Sequence, residues 1–321
     1  MATAKFAQER ILDDVPAIIF EQLSKSYGSG VLALDSLTLT VPRGEIFGFL
    51  GPNGAGKSTT LRLMLDLLRP TSGRVRIFGV DSKDGSLEVR SRTGYLPGDL
   101  TVYPNLTVRA SIDLFSALRP GCVSETYVAE LCERLSLDVN LRNRELSQGN
   151  KQKVGIVLAV MARAELIILD EPTNSLDPLV QREVLEILRE AREQGSTVFF
   201  SSHNLTEVER ICDRVGMIRN GKLIEVKRIE DLVSKRLTML RIEFKEPPPL
   251  DIFMGLNGVK ETFRSNAGRE VHLEVSGELD GVIKSAAEHR VVAMESGQLS
   301  LEEEFMALYE HGTDAREGFY A

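Results

Sequence analysis

Residues 45–68 read EIFGFLGPNGAGKSTTLRLMLDLL, and the way this stretch folds decides the rest of the chain. EIFGFL (45–50) is a short run of apolar and aromatic residues, the composition of a strand. TTLRLMLDLL (59–68) has helical spacing and is stopped by RPTSG. Between them lies GPNGAGKST (51–59), a match to G-x-x-x-x-G-K-[ST] with a strand before it and a helix after it. The chemistry explains the residue types. Gly51, Gly54 and Gly56, with Pro52, Asn53 and Ala55 between them, let successive backbone N–H groups turn toward phosphate oxygens with little side chain in the way. The following helix N-terminus adds partial positive charge. Lys57 is placed to neutralise β- and γ-phosphates, and the hydroxyl of Ser58, next to Thr59, suits Mg²⁺.

Outward from this loop, strand and helix patterns alternate. AIIFEQLSKSYG (17–28) and the stretch from Leu32 read as strands with polar and apolar residues in alternation. Residues 106–164 read as mostly helical, and Val128, Leu131, Cys132 and Leu135 fall on one helix face. ELIILD (165–170) and STVFFSS (196–202) are continuous apolar runs of the kind buried on both faces of a parallel sheet. The expected class is therefore α/β, with a mainly parallel core sheet. Asp170 and Glu171 end the first of these runs, where ligands of open α/β sheets bind. Asp170 is placed to hold Mg²⁺, directly or through water, and Glu171 to orient or deprotonate an attacking water. LSQGN (146–150) opens another helix, with Ser147 as its cap and Gly149 in its first turn, a second anion-attracting helix end.

Bulk properties narrow the field. The 321 residues exceed what one ordinary domain needs. With 47 acidic residues against 39 Lys and Arg, the net charge is -8, which argues against nucleic acid as a partner. The three cysteines, Cys122, Cys132 and Cys212, form no C-x-x-C pair and read as reduced thiols. No apolar run approaches the ~20 residues of a membrane helix, and the N-terminal stretch lacks the apolar core of a secretory signal. The expected organisation is a tail (1–16), a large domain (17–232) with a helical subdomain at about 100–164, and a C-terminal unit (233–321). That unit reads β-α-β-β-α-β, a ferredoxin-like pattern. LDIFMGL (250–256) and LDGVIKSAAEH (279–289) are its expected helices, and SLEEEFMALYEHG (300–312) a terminal one.

Taken in order, these motifs resemble the ATP-binding cassette (ABC) family of transporter subunits over roughly residues 17–232. GPNGAGKST resembles the Walker A loop, LSQGN the signature, LIILDEP the Walker B strand, and NSLDP (174–178) the D-loop. The resemblance implies a P-loop NTPase cassette with an antiparallel β-subdomain, ATP and Mg²⁺ as cofactors, and ATP sites formed between two cassettes. Ser147 and Gly149 then contact the γ-phosphate held by the partner cassette, Asp177 links the two sites, His203 faces the γ-phosphate, and Tyr27 stacks on adenine. It further implies an exporter branch, an ATPase working on a separate transmembrane permease subunit at the inner face of the cell membrane. The rival is an ABC-type switch not coupled to transport, acting on ribosomes or DNA.

Two departures stand out. The signature reads LSQGN where LSGGQ is commoner, with Ser147 and Gly149 kept. GYLPGD (94–99) occupies the place of the Q-loop, yet Gly98 stands where a glutamine usually follows YLP. Asp99, one residue later, either reaches Mg²⁺ through a water or serves as a turn residue bonded to its own backbone.

Overall fold

Strands that are apolar on both faces must be covered on both sides, and IFGFL (46–50), LIILD (166–170) and TVFFSS (197–202) all make that demand. In the computed structural model, which describes residues 15–28, 30–234, 237–265 and 267–298, every residue of these three strands is buried. The expectations for most of the N-terminal tail and for a helix over 300–312 lie outside the described residues. The chain divides into two compact units, the first ending at Ile229 and the second starting at Glu230.

In the first unit the strands are β1 (Ile18–Tyr27), β2 (Val31–Val41), β3 (Ile46–Leu50), β4 (Ser72–Ile77), β5 (Val80–Asp81), β6 (Thr93–Leu96), β7 (Leu166–Asp170), β8 (Thr197–Ser202), β9 (Arg214–Arg219) and β10 (Lys222–Arg228). The helices are α1 (Lys57–Met64), α2 (Ser86–Ser91), α3 (Val108–Ala117), α4 (Glu125–Arg134), α5 (Gln148–Val160), α6 (Pro178–Glu193) and α7 (Leu205–Ile211). α8 (Ile229–Ser234) begins at the division.

Two sheets build the unit. A six-stranded sheet has the order β10-β9-β3-β8-β7-β6, parallel throughout except for β10 on its edge. A four-stranded antiparallel sheet has the order β2-β1-β4-β5. The aromatic residues join them. Phe199 of β8 stacks on Phe47 of β3 with centroids 5.4 Å apart, and Phe20 of β1 meets it from the other sheet at 6.2 Å. Burial of such rings away from water supplies the main driving force here. Register then decides where the chemistry sits. Leu50 pairs with Ser202 and Asp170 with Ser201, so the carboxyl ends of β3, β8 and β7 lie side by side.

The helical part follows its local signals. Thr107 and Ser124 cap α3 and α4 by accepting from Ala110 N and Tyr127 N. The expected face of Val128, Leu131, Cys132 and Leu135 is buried. Arg134 at the end of α4 ties this part to α6, with a bidentate pair to Glu190 at 2.6 and 2.9 Å and a bond to Glu183 at 2.5 Å.

The C-terminal unit contains β11 (Leu237–Phe244), β12 (Val259–Ser265), β13 (Glu270–Ser276), α9 (Asp280–Ala287) and β14 (Val291–Gln298). Its sheet has the antiparallel order β12-β13-β11-β14, and Leu240, Ile242, Phe244, Val271, Leu273 and Val275 form the covered face with Phe253, Val282 and Ala286. The expected ferredoxin-like succession holds with one change. Residues 250–256 form turns rather than a helix, closed by bonds such as Met254 N to Asp251 O at 2.9 Å. Pro247, Pro248 and Pro249 precede them and Gly255 (φ +85°) interrupts them, leaving too few residues for a helix nucleus.

Glu45, at the end of β3 away from the phosphate loop, generates a test. Burial raises its carboxyl to about 7, and Arg214, 3.2 Å away, only partly offsets this. An acid with a raised folded-state value contributes stability below its unfolded value of 4.5, and that contribution is lost as pH rises to about 7. Across that window the Glu45→Gln variant should gain roughly 2 kcal/mol relative to the parent. Urea unfolding at pH 4.5 and 7.5 checks it, and a pH-independent difference between the two proteins contradicts it.

Candidate active site

The loop after β3 is fixed from both ends. Gly51 N donates to Ser202 O at 3.2 Å and Ala55 N to Pro52 O at 3.2 Å, while Pro52, Asn53 and Gly54 form an exposed tip. Gly56 precedes α1 with φ +110°, and a Cβ there would fall 2.5 Å from Ala33 O, so only glycine fits. Lys57 then opens the helix, with Ser58 and Thr59 half-buried behind it. Its side chain, 6% exposed, folds back under the loop. It donates to Gly51 O and Pro52 O and lies 3.0 Å from Glu171 Oε1.

The end of β7 is built around Ser201, its neighbour on β8. The Ser201 hydroxyl donates to Asp170 Oδ1 at 2.6 Å and accepts from Glu171 N at 3.0 Å. Asp170 is 2% exposed, and its Oδ2 faces Gly98, where a Cβ would lie 2.9 Å away. Glu171 turns into the left-handed region at φ +51°, a conformation that neighbours must hold. Gln152 of α5 does so from the other side, its amide donating to Glu171 O and Pro172 O, both at 3.1 Å. The Glu171 carboxylate thereby sits between two bases, Lys57 on Oε1 and His203 Nδ1 on Oε2 at 2.7 Å. His203 is half-exposed, while Glu171 is only 15% exposed.

The other expected residues fall into two groups. Tyr27 stands beside the loop, its hydroxyl 3.4 Å from Thr59 Oγ1; the residue is exposed, with the Lys25 ammonium 5.3 Å from its ring centroid. Asp99 is 98% exposed and reaches toward Arg62, 3.7 Å away. Tyr95, between Arg62 and Asp170, is pushed up to about 12 by burial and then by the Asp170 charge, against the pull of Arg62. Ser147 and Asp177 are exposed and cap their own helices, Ser147 accepting from Asn150 N and Asp177 from Leu179 N and Val180 N. Gly149 packs its backbone on Ser175 O. Lys57, Asp170, Glu171 and His203 thus come together, and Ser147, Gly149 and Asp177 do not join them.

Ser201 and Gln152 were missed from the sequence, and each had a weak signal. Ser201 is a hydroxyl near the end of a buried run, and it proves to be the cross-strand partner of Asp170. Gln152 is a polar residue in line with Ile156 and Val160 on the buried stripe of α5. Replacing Ser201 by Ala removes a donor from a buried carboxylate and an acceptor from Glu171 N. The expected loss is about 1.5–3 kcal/mol in denaturant unfolding, the range for hydrogen bonds to charged groups. A loss below about 0.5 kcal/mol contradicts the bridging role.

Comparison with known proteins gives the family. The family model described as ABC transporter matches residues 34–174. The chain is 37% identical over 227 residues to the bacitracin transport ATP-binding protein BcrA of Bacillus licheniformis, covering 70% of this chain and 74% of that protein. A solved ATP-binding subunit of an ABC transporter superposes with a TM-score of 0.62 and 31% identity, over 67% of this chain and 91% of that one. The dimeric MJ0796, a bacterial ABC transporter cassette, superposes with a TM-score of 0.61 and 25% identity, over 66% of this chain and 98% of that one. With its phosphate loop, its acid pair and this kinship, the chain belongs to the ABC transporter family, as an ATP-binding subunit and ATPase.

Proposed function

We propose that this protein is one half of a two-cassette ATPase motor that drives export through a separate membrane permease subunit. The observation that carries the proposal is the Lys57–Glu171–His203 cluster, placed at the carboxyl ends of adjacent strands beside the phosphate loop. ATP phosphates fill the loop and draw the Lys57 ammonium off Glu171. Glu171 is then the general base: it takes a proton from water, the oxygen attacks the γ-phosphorus, and the bond to the β–γ bridging oxygen breaks. ADP and phosphate are left. His203 steadies the γ-phosphate from the solvent side, and Tyr27 offers its ring to adenine.

The donor set around the loop suits Mg²⁺. Ser58 and Asp170 supply a hydroxyl and a carboxylate, the hard oxygen ligands this ion prefers, and Asp170 keeps Oδ2 clear of the Ser201 bond. These two residues would hold it, and it would supply positive charge to offset the negative charge developing on the phosphates. Asp99 is assigned to the loop surface, where Arg62 meets it.

The second cassette is a copy or relative of this chain. Ser147, Gly149 and Asp177 sit at two helix N-termini, the ends that attract anions, and the MJ0796 cassette is itself dimeric. The permease is supported by an apolar groove of about 350 Å³ beside the 94–99 loop, lined in part by Leu65, Tyr95, Pro97, Leu100, Phe115 and Met161. Among the described residues no helix is long and apolar enough to cross a membrane. In this reading the permease supplies the span and this chain sits on the inner face. Kinship to a bacitracin transport subunit supports the outward direction, with an antibiotic-like cargo chosen by the permease.

Two substitutions test these assignments. Glu171→Gln should lower turnover at least a hundredfold while ATP still binds and a dimer accumulates. Near-normal turnover removes Glu171 as the base. Asp99→Ala should leave turnover and its Mg²⁺ dependence within about twofold, as expected of an exposed ion pair. A tenfold loss places Asp99 in the metal site instead.

A further inference from the structure

We propose that Gln152 is a positioning residue that couples the signature turn of α5 to the general base of the same chain. The inference rests on the two-cassette reading above. Its starting point is the segment 171–175, which carries a left-handed residue at each end, Glu171 at φ +51° and Ser175 at φ +63°. Pro172 has no N–H, so the turn after β7 lacks one of its own donors. Asn174 N closes the turn on Glu171 O at 3.2 Å, and Gln152 adds a donor group from α5. Gln152 is 5% exposed, and its amide nitrogen is shared between two consecutive carbonyls, Glu171 O and Pro172 O, at 3.1 Å each. The Glu171 peptide is thus held from β8 through Ser201, from within the turn through Asn174 and from α5 through Gln152, so a shift of α5 bears on its orientation.

The same helix touches this segment a second time. A Cβ at Gly149 would lie 2.7 Å from Ser175 O, so the first turn of α5 packs backbone against backbone there. Ser147 caps that turn and is exposed. From Ser147 to Gln152 the helix rises about 7.5 Å, at 1.5 Å per residue, and over that length it moves as a rigid body. A phosphate drawn to Ser147 and Gly149 from the second cassette's site thus shifts the two points that hold 171–175. Occupancy at one ATP site is read as the aim of Glu171 at the other. In the assembled pair, Gln152 makes hydrolysis at each site contingent on its neighbour.

The full-length chain tests this with Gln152→Glu, which keeps the size of the side chain but replaces the donor by an acceptor, and with Gln152→Ala. Steady-state ATP hydrolysis should show kcat lowered ten- to a hundredfold, KM within about threefold of the parent, and a Hill coefficient moved toward one. Values of kcat within twofold of the parent overturn the proposal. So does a joint fall of kcat, ATP affinity and unfolding temperature, the pattern of a merely structural residue. A second measurement does not depend on turnover. In the Glu171→Gln background, ATP should slow amide exchange in residues 171–176, and adding Gln152→Glu should abolish that slowing. Equal slowing in both proteins overturns the coupling. The underlying reading has its own control: if Glu171→Gln with ATP forms no dimer, the two-cassette site fails. If it forms one while Gln152→Glu turns over normally, only the role of Gln152 fails.

Discussion

Lys57 Nζ and Glu171 Oε1 lie 3.0 Å apart where neither side chain has much access to water. A charge in such a place cannot be left alone, because removing one partner of a buried pair leaves the other uncompensated. This constraint orders the chemistry. In the proposed mechanism, the carboxylate that accepts a proton is occupied, without nucleotide, by the cation that comes to hold phosphate. A polyphosphate in the loop would compete for Lys57 with several negative oxygens and release the carboxylate as it binds. On that reading the site is set for hydrolysis by its substrate.

The scaffold exists to hold that pair in place. Lys57 stands at the start of a helix because Gly56 adopts a conformation closed to other residues, and Glu171 stands beyond β7 because the register of β7 on β8 sets Asp170 against Ser201. Phe47, Phe49 and Phe199 pack inside the sheet and bind it to the antiparallel sheet through Phe20. Rigid, dry strands of this kind give a fixed platform, and the mobile parts of the chemistry sit on loops at their ends. Gly98 adds a finer restriction: a side chain there would press on Asp170, so the loop at 94–99 approaches the acid by backbone alone.

The parts of this design that sequence made legible are local. The phosphate loop, the Asp170–Glu171 pair and the cap at Ser147 each declare themselves within a few residues. Buried strands were legible for the same reason, since a continuous apolar run has few other uses. What sequence left open depends on contacts between distant segments. Ser201 reads as one more strand residue until β8 is set beside β7. Gln152 reads as part of a helix surface until the carbonyls of 171–172 are brought beneath it. The partner of Asp99 was hidden in the same way, because Arg62 lies in another helix. The turn at 250–256 is different: its prolines and glycine were visible, but the apolar spacing of LDIFMGL outweighed them in the expectation.

The most direct measurement is a crystal structure of the unaltered chain with a non-hydrolysable ATP analogue and Mg²⁺. Lys57 Nζ should be found on the terminal phosphates and away from Glu171. Glu171 should face the γ-phosphate through a water, and Ser147 of a second copy should close the site. An analogue bound in the loop with the 3.0 Å Lys57–Glu171 pair intact would contradict the central claim.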